Sequence, residues 1–251
     1  MNWKGRKLYI AVAVFVVILA LVVVVILATR PHFVTVVIPP GLRKEETAAI
    51  LTEDLHWTSM QEETFMSAST SDDYAEGVYF PDTYLIPPDE MPITTVSRLA
   101  GNFNLKFSSY QKAALAKNIK WTVLLTMASI IQREAADSND MALISGILWN
   151  RLDTKMPLDV DSTVQYARGD TGNGWWAPLA VTDLKIVSPY NTYIHTGLPP
   201  HPIDSPGLDA IDAALNPQKT DCLYYLHDSS RVIHCAATYE EHQANVKEYL
   251  Q

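Results

Sequence analysis

Twenty consecutive residues, Tyr9 to Ala28, carry no charge and are almost all Val, Ile, Leu, Ala or Phe. Coiled as one helix, such a run is about 30 Å long, the thickness of a bilayer's hydrocarbon core. A cleaved signal peptide has a shorter apolar region and small residues at its cleavage site. Neither condition fits here, and no cysteine follows that could carry lipid. The run reads as a membrane anchor. Lys4, Arg6 and Lys7 crowd the leading tail, residues 1–8, and favour that tail inside. Arg30, Arg43 and Lys44 temper the bias from the other side. Residues 30–251 are then expected outside the cytoplasm.

The formal charge of the whole chain is −9, and the three leading cations belong to the tail. The remainder is therefore more acidic still. Such a surface repels nucleic-acid phosphate, and no basic stripe argues otherwise. The length beyond the anchor is enough to bury a proper core. With two cysteines the chain is no disulfide scaffold, yet their placement is informative. Leu223–Leu226 and Val232–Cys235 read as strands around a turn at Asp228-Ser229. If that turn has two residues, Cys222 lies opposite Cys235 in a non-hydrogen-bonded pair, close enough for a bridge. A longer loop breaks that register and leaves two buried thiols.

The fold class expected is α+β. Phe33–Ile38 reads as a strand, Pro39-Pro40-Gly41 as a turn, and Arg43–Leu55 and Gln61–Ala68 as short helices. Together they form a small module, residues 32–70. Ser67–Asp73 is the linker candidate, and residues 74–251 form the larger domain. There, Glu76–Tyr84 is loop or short strand, while 93–117, 121–136 and 141–152 are helical. Past Asp153 the density of Gly and Pro rises, and regular structure is expected to be short.

The helix from Trp121 is the most informative. Val123, Leu124, Met127, Ile130 and Ile131 recur at helical spacing, and Glu134 continues their stripe in the last turn. Burial and the negative end of the helix dipole both disfavour its anion. A glutamate held protonated near neutral pH is what a general acid requires. The competing reading pairs Glu134 with a cation or turns it to solvent.

Other chemistries find less support. The seven histidines lie in no ligand-spaced arrangement, so no metal or other cofactor is expected. No Gly-x-Ser-x-Gly elbow and no phosphate-cradling loop is present. Leu158–Thr163 puts Asp159 and Asp161 on one side of a segment read as extended. Ser188–Tyr193 combines an amide, hydroxyls and two aromatic rings. Amide and hydroxyl groups beside aromatic faces suit sugar rings, and they suit ordered loops equally well.

Several stretches together resemble one family, the MltG-type (YceG-like) endolytic murein transglycosylases. They include Glu76-Gly-Val-Tyr-Phe-Pro-Asp-Thr-Tyr84, Ala128-Ser-Ile-Ile-Gln-Arg-Glu134, Asn150–Leu158 and Asp161-Ser-Thr163. Ser188-Pro-Tyr-Asn-Thr-Tyr193 through Pro200, Leu223-Tyr-Tyr225 and Thr238–His242 continue the match. The resemblance implies a single-pass anchor in a bacterial inner or plasma membrane, a LysM-like module at 32–70, and an extracytoplasmic catalytic domain. It implies a lytic transglycosylase that cuts the MurNAc-β-1,4-GlcNAc bond of nascent peptidoglycan, leaves a 1,6-anhydroMurNAc end and limits glycan length. Glycan strands are the partner, with peptidoglycan synthases as further partners. Glu134 is the implied catalytic residue. Glu76, Gln132, Asp161, Thr163, Tyr190, Asn191, Thr192 and Tyr193 are expected to bind substrate. Gln132 stands where many members carry a second Glu. Thr171–Pro178, with Trp175-Trp176, departs from the family pattern and either shapes a subsite or covers a core. Two alternatives stay open: a murein-binding scaffold without activity, and a hydrolytic muramidase using Asp161 or Glu76 as a second carboxylate.

Overall fold

The computed structural model describes residues 3–28, 32–68 and 76–251, with side chains in the first segment described for 12–24. Helix α1 runs Trp3–Ala28 and contains the apolar run expected to be an anchor. Among the described residues no single helix is long and apolar enough to cross a membrane, the described apolar stretch being Val12–Val24. Of the expected linker Ser67–Asp73, residues 69–73 lie outside the described residues, and Ser67 is helical.

Helix α5, Trp121–Glu134, is the centre of the molecule. Every residue from Leu124 to Ile131 is buried, so its apolar face is not a stripe but nearly the whole circumference. Of the expected stripe, Val123 and Glu134 are left half-exposed. Helices α4 (Pro92–Ala116), α6 (Met141–Asp153), α7 (Asp161–Arg168) and α8 (Leu208–Leu215) all pack on it. The buried Ser129 hydroxyl sits in this core without penalty because it has partners. Ser129 donates to the Thr126 carbonyl at 2.8 Å and accepts the Ile203 amide at 3.0 Å. The helix ends at Glu134 rather than Ala136, because Ala135 turns to extended backbone. Asp140 then fixes the exit by accepting the Ala136 and Asp137 amides.

Strand β1 (Val34–Ile38) pairs antiparallel with β2 (Asp82–Ile86), Val34 opposite Ile86 and Ile38 opposite Asp82. Side chains alternate across this ribbon: Val36, Ile38, Tyr84 and Ile86 point inward while Val37 and Leu85 face out. Helices α2 (Lys44–Leu55) and α3 (Ser59–Ser67) lie between the strands in sequence. Thr58 and Gln61 form a capping box at the start of α3. A strand needs a partner, and the partner comes from beyond residue 74, so the sheet bridges the expected boundary. One core cluster likewise joins Val36, Leu51 and Phe65 to Ile86, Leu99 and Leu124.

The Trp175-Trp176 loop adds a clasp between these parts. The Arg43 guanidinium lies between the Tyr166 and Trp175 rings, 4.1 and 4.2 Å from their centroids. Trp176 donates its indole N–H to Glu46 at 3.0 Å and stacks under Arg133 at 3.9 Å. The loop thus ties α2 to α7 and to the last turn of α5.

Three helices go beyond the expectation of short structure past Asp153. Asp161 does not continue an extended segment but opens α7; Asp159, in the left-handed region at φ 51°, makes the bend. α8 and α9 (Tyr239–Tyr249) are the other two. The hairpin β3 (Tyr224–His227) and β4 (Ile233–Ala236) is joined by five residues, so Tyr225 rather than Cys222 faces Cys235. The longer loop shifts the register. The Cys222–Cys235 bridge forms nonetheless, since Cys222 lies just before β3, where the Leu223 amide still donates to the Ala236 carbonyl. Closing 13 residues should stabilise the fold by about 2–3 kcal/mol. Replacing both cysteines with serine should therefore lower the unfolding temperature, and reductant should lower that of the wild type alone.

Candidate active site

Glu134 ends α5 with its carboxyl held from two sides. Ser162, the second residue of α7, donates to Oε1 at 2.9 Å, and Tyr225 on β3 donates to Oε2 at 2.8 Å. Burial raises its proton affinity above the ordinary carboxylate value; the Tyr225 and Ser162 hydrogen bonds oppose the shift, and the nearby Asp161 charge adds to it. The same burial, with Glu134 beside it, pushes the Tyr225 phenol well up. Tyr225 is thus a firm donor and never an anion at working pH.

The carboxyl looks into a cavity of about 400 Å³. Asp159, Asp161 and Tyr193 form one wall, and Arg151 with Tyr224, Tyr239 and His242 forms another. The His242 and Tyr224 rings stack, with centroids 5.4 Å apart, and Tyr239 leans on both. This is a wall of aromatic faces edged by groups that donate and accept hydrogen bonds.

The expected site residues divide into four groups. Glu134, Asp161 and Tyr193 share the cavity, Tyr193 donating to Asp161 at 2.6 Å. Thr163, Asn191 and Thr192 are buried behind it and bond internally. The two threonine hydroxyls meet at 2.9 Å, Thr192 accepts the Val160 amide, and Asn191 donates to the Leu184 and Ile186 carbonyls. They lace the loop to the start of α7 and so aim Tyr193. Tyr190 packs on Tyr166, 4.7 Å between centroids. Gln132 and Glu76 lie elsewhere. Gln132 accepts the Gly207 amide at 3.0 Å, on another side of α5. Glu76 is buried and accepts the Lys44 amide at the start of α2, so it is no second carboxyl for this cavity. Asp161, with Asp159, is a carboxylate that does share it.

Sequence reading passed over Ser162, Tyr225, Arg151, Tyr224, Tyr239 and His242. Ser162 and Tyr225 stand inside the quoted Asp161-Ser-Thr163 and Leu223-Tyr-Tyr225 stretches, but nothing in the sequence tells which hydroxyl turns to Glu134. Tyr239 and His242 become neighbours only once α9 forms. Its Thr238-x-x-Glu241 capping box was the available signal.

The YceG-like family model matches residues 20–248. The chain belongs to that family. An endolytic murein transglycosylase of Streptococcus pneumoniae is 32% identical over 250 residues, covering 88% of this chain and 45% of that protein. One from Bacillus subtilis is 37% identical over 176 residues, covering 70% and 48%. The chain thus spans about half the length of these curated relatives. The crystal structure of a yceG-like protein from Listeria monocytogenes matches with a TM-score of 0.75 at 27% identity, over 84% of this chain and 75% of that one.

This YceG-like chain carries two further carboxyls that burial drives upward, Glu76 and Asp204. Asp204 is fully buried with no hydrogen-bond partner on either oxygen among the described residues. With Glu134 they bind protons more tightly folded than unfolded. Their contribution is complete below the unfolded values, 4.5 for Glu and 3.8 for Asp, and is lost as pH rises through the raised folded ones. His242, pushed down by burial, acts oppositely below 6.5 but is only half-buried. The unfolding temperature should therefore be higher near pH 5 than near pH 8, about three pH units apart. Asp204→Asn should flatten that slope; an unchanged slope would leave Asp204 without this role.

Proposed function

We propose that this chain is a membrane-anchored lytic transglycosylase of peptidoglycan, with Glu134 as its acid and then its base. Glu134 protonates the oxygen leaving from the bond between N-acetylmuramic acid and N-acetylglucosamine. As carboxylate it then takes the proton of the muramyl C6 hydroxyl, which closes a 1,6-anhydro ring on C1. The nucleophile is part of the substrate, so one carboxyl serves both steps and water is not consumed. The observation that carries this reading is the Glu134 carboxyl itself: half-buried, shifted toward its protonated form, gripped by two hydroxyl donors, and open to a cavity of sugar size.

The surroundings support both halves of the cycle. Burial favours the protonated form of Glu134, the form a general acid needs. Once it has left, Tyr225 and Ser162 steady the carboxylate that must act as base. The rings of Tyr193, Tyr224 and Tyr239 offer apolar faces to the C–H sides of pyranose rings, and their hydroxyls serve the edges. Residues 9–28 anchor the chain in the membrane, with the catalytic domain outside the cytoplasm and cleavage held near the bilayer, limiting glycan length. The module that binds glycan in a LysM-like manner is read here as β1 through β2, since its sheet closes only there. The activity named for the pneumococcal and Bacillus relatives agrees with this reading.

One observation favours a second reading. Asp161 shares the cavity, and a hydrolase works with two carboxyls flanking the bond. Mass spectrometry of the released glycans separates the two. Anhydro ends, one water lighter than reducing ends, are expected from purified strands. Reducing ends throughout would make the chain a muramidase, and binding without any product would leave only a scaffold.

A further inference from the structure

Arg151 is among the least exposed charged residues of the chain, and its fork reaches two separate segments. It stands in the last turn of α6, where a cation also suits the helix dipole. Nε donates to the Leu223 carbonyl at 2.6 Å. NH1 donates to the carbonyls of Pro157 at 3.1 Å and Leu158 at 2.7 Å, and approaches Asp159 Oδ2 at 3.3 Å. Leu223 leads directly into β3 and Tyr225. Residues 157–159 lead directly into α7 and Ser162. Each segment therefore delivers one of the two hydroxyls that grip Glu134. We propose that Arg151 is a positioning residue for Glu134, holding both of its hydroxyl donors from one buried guanidinium. The proposal rests on the role given to Glu134 above.

The chemistry of the fork explains why arginine stands there. A guanidinium presents its N–H groups in a fixed plane and reaches carbonyls on two sides; an ammonium gathers its donors at one point. Asn150, one residue earlier, strengthens the same arrangement by donating to the Thr220 and Cys222 carbonyls. The charge matters as well. Among the described residues Arg151 pairs with Asp159, and its positive charge opposes the upward push on the Tyr225 phenol. A phenol so placed donates more strongly. Without the fork, β3 and the α7 lead-in lose their common tether, while burial and the Asp161 charge still act on Glu134. Its affinity for the proton should then rise. That change makes Glu134 a weaker acid and hinders the first step, where its proton must pass to the leaving oxygen.

The test reads Glu134 directly. In the full chain, in detergent and carrying carbon-13 glutamate, the Glu134 carboxyl resonance is the one missing from Glu134→Gln. The groups facing it are Ser162, Tyr225, Asp161 and Tyr193, with Arg151, Asp159 and His242 around the same cavity. Its titration midpoint is compared in the wild type, in Arg151→Lys and in Arg151→Met. Both variants should raise it, by about one pH unit for each hydrogen bond to the carboxylate that is lost. In Ser162→Ala/Tyr225→Phe the midpoint should be raised already, and adding Arg151→Lys should move it little further. The alkaline limb of anhydro-product release should follow the midpoint, with kcat falling more than KM rises.

An unmoved midpoint in folded Arg151→Lys overturns the proposal. So does an equal shift from Arg151→Lys with and without the two donors, because the effect would then bypass them. Failure of Arg151→Lys to fold also overturns it, since the role would be structural. Loss of the transglycosylase reading looks different: no anhydro product forms, while the titration still decides on Arg151.

Discussion

Glu134→Gln should cut the release of 1,6-anhydro ends by roughly two to four orders of magnitude, the usual contribution of a positioned general acid. Glutamine has the same shape, and the amide can neither give nor take the reacting proton. Tyr225 and Ser162 each both donate and accept, so they can turn to face the amide's oxygen and nitrogen. The cavity should keep its form. The fold should not suffer either, because a buried acid that resists ionisation is exchanged for a neutral group. An unfolding temperature at or above that of the wild type near neutral pH, with anhydro release almost gone, is the expected pair of results. Residual release within tenfold of the wild type would remove Glu134 from the chemistry.

That expectation was legible early, because one helix made it so. The apolar spacing from Leu124 to Ile131 carried Glu134 onto a buried face, and the structure places it at the end of α5 beside a cavity. What surrounds the carboxyl was not legible. Ser162 and Tyr225 come from segments 28 and 91 residues away, and no local pattern aims a hydroxyl across such separations. The SPYNTY stretch shows the same limit from the other side. Its polarity looked like a binding surface, yet Asn191 and Thr192 spend their hydrogen bonds inside, and Tyr193 alone reaches the cavity. Polar side chains that shape a loop and polar side chains that meet a ligand share one composition. Only burial tells them apart.

The partner of β1 was hidden for a related reason. Composition drops into a serine-rich stretch at 67–73, which reads as a linker, but β1 finds its partner at Asp82–Ile86 on the far side. Hydrogen-bond pairing between strands is non-local, so a break in composition does not mark a break in packing. The Cys222–Cys235 bridge had the opposite history: the pairing was right, while the register argument behind it was not.

Gly146→Ala should be the most damaging small change outside the cavity. Gly146 lies within α6, where alanine would ordinarily add about 1 kcal/mol of helix stability. Here the added Cβ would stand 2.2 Å from the Gln218 carbonyl oxygen and 3.1 Å from Thr220 Cγ2. The first of these is backbone and cannot rotate aside. Gln218 is also fixed by its own amide, which donates to the Ala142 carbonyl at 2.8 Å. Steric overlap therefore wins, and the segment 217–223 must lift from α6 at a net cost of about 1–3 kcal/mol. For a domain of this size the unfolding temperature should drop by roughly 2–4 °C for each kcal/mol. The same lift pulls on Leu223 and hence on Tyr225, so anhydro release should fall even at temperatures where the variant is folded. Gly101→Ala supplies the control. Nothing lies within 4 Å of a Cβ added at Gly101 in α4, so there the helix preference acts alone and stability should rise. If both substitutions moved stability in the same direction, the close approach of Gln218 to Gly146 would not be what holds this segment against α6.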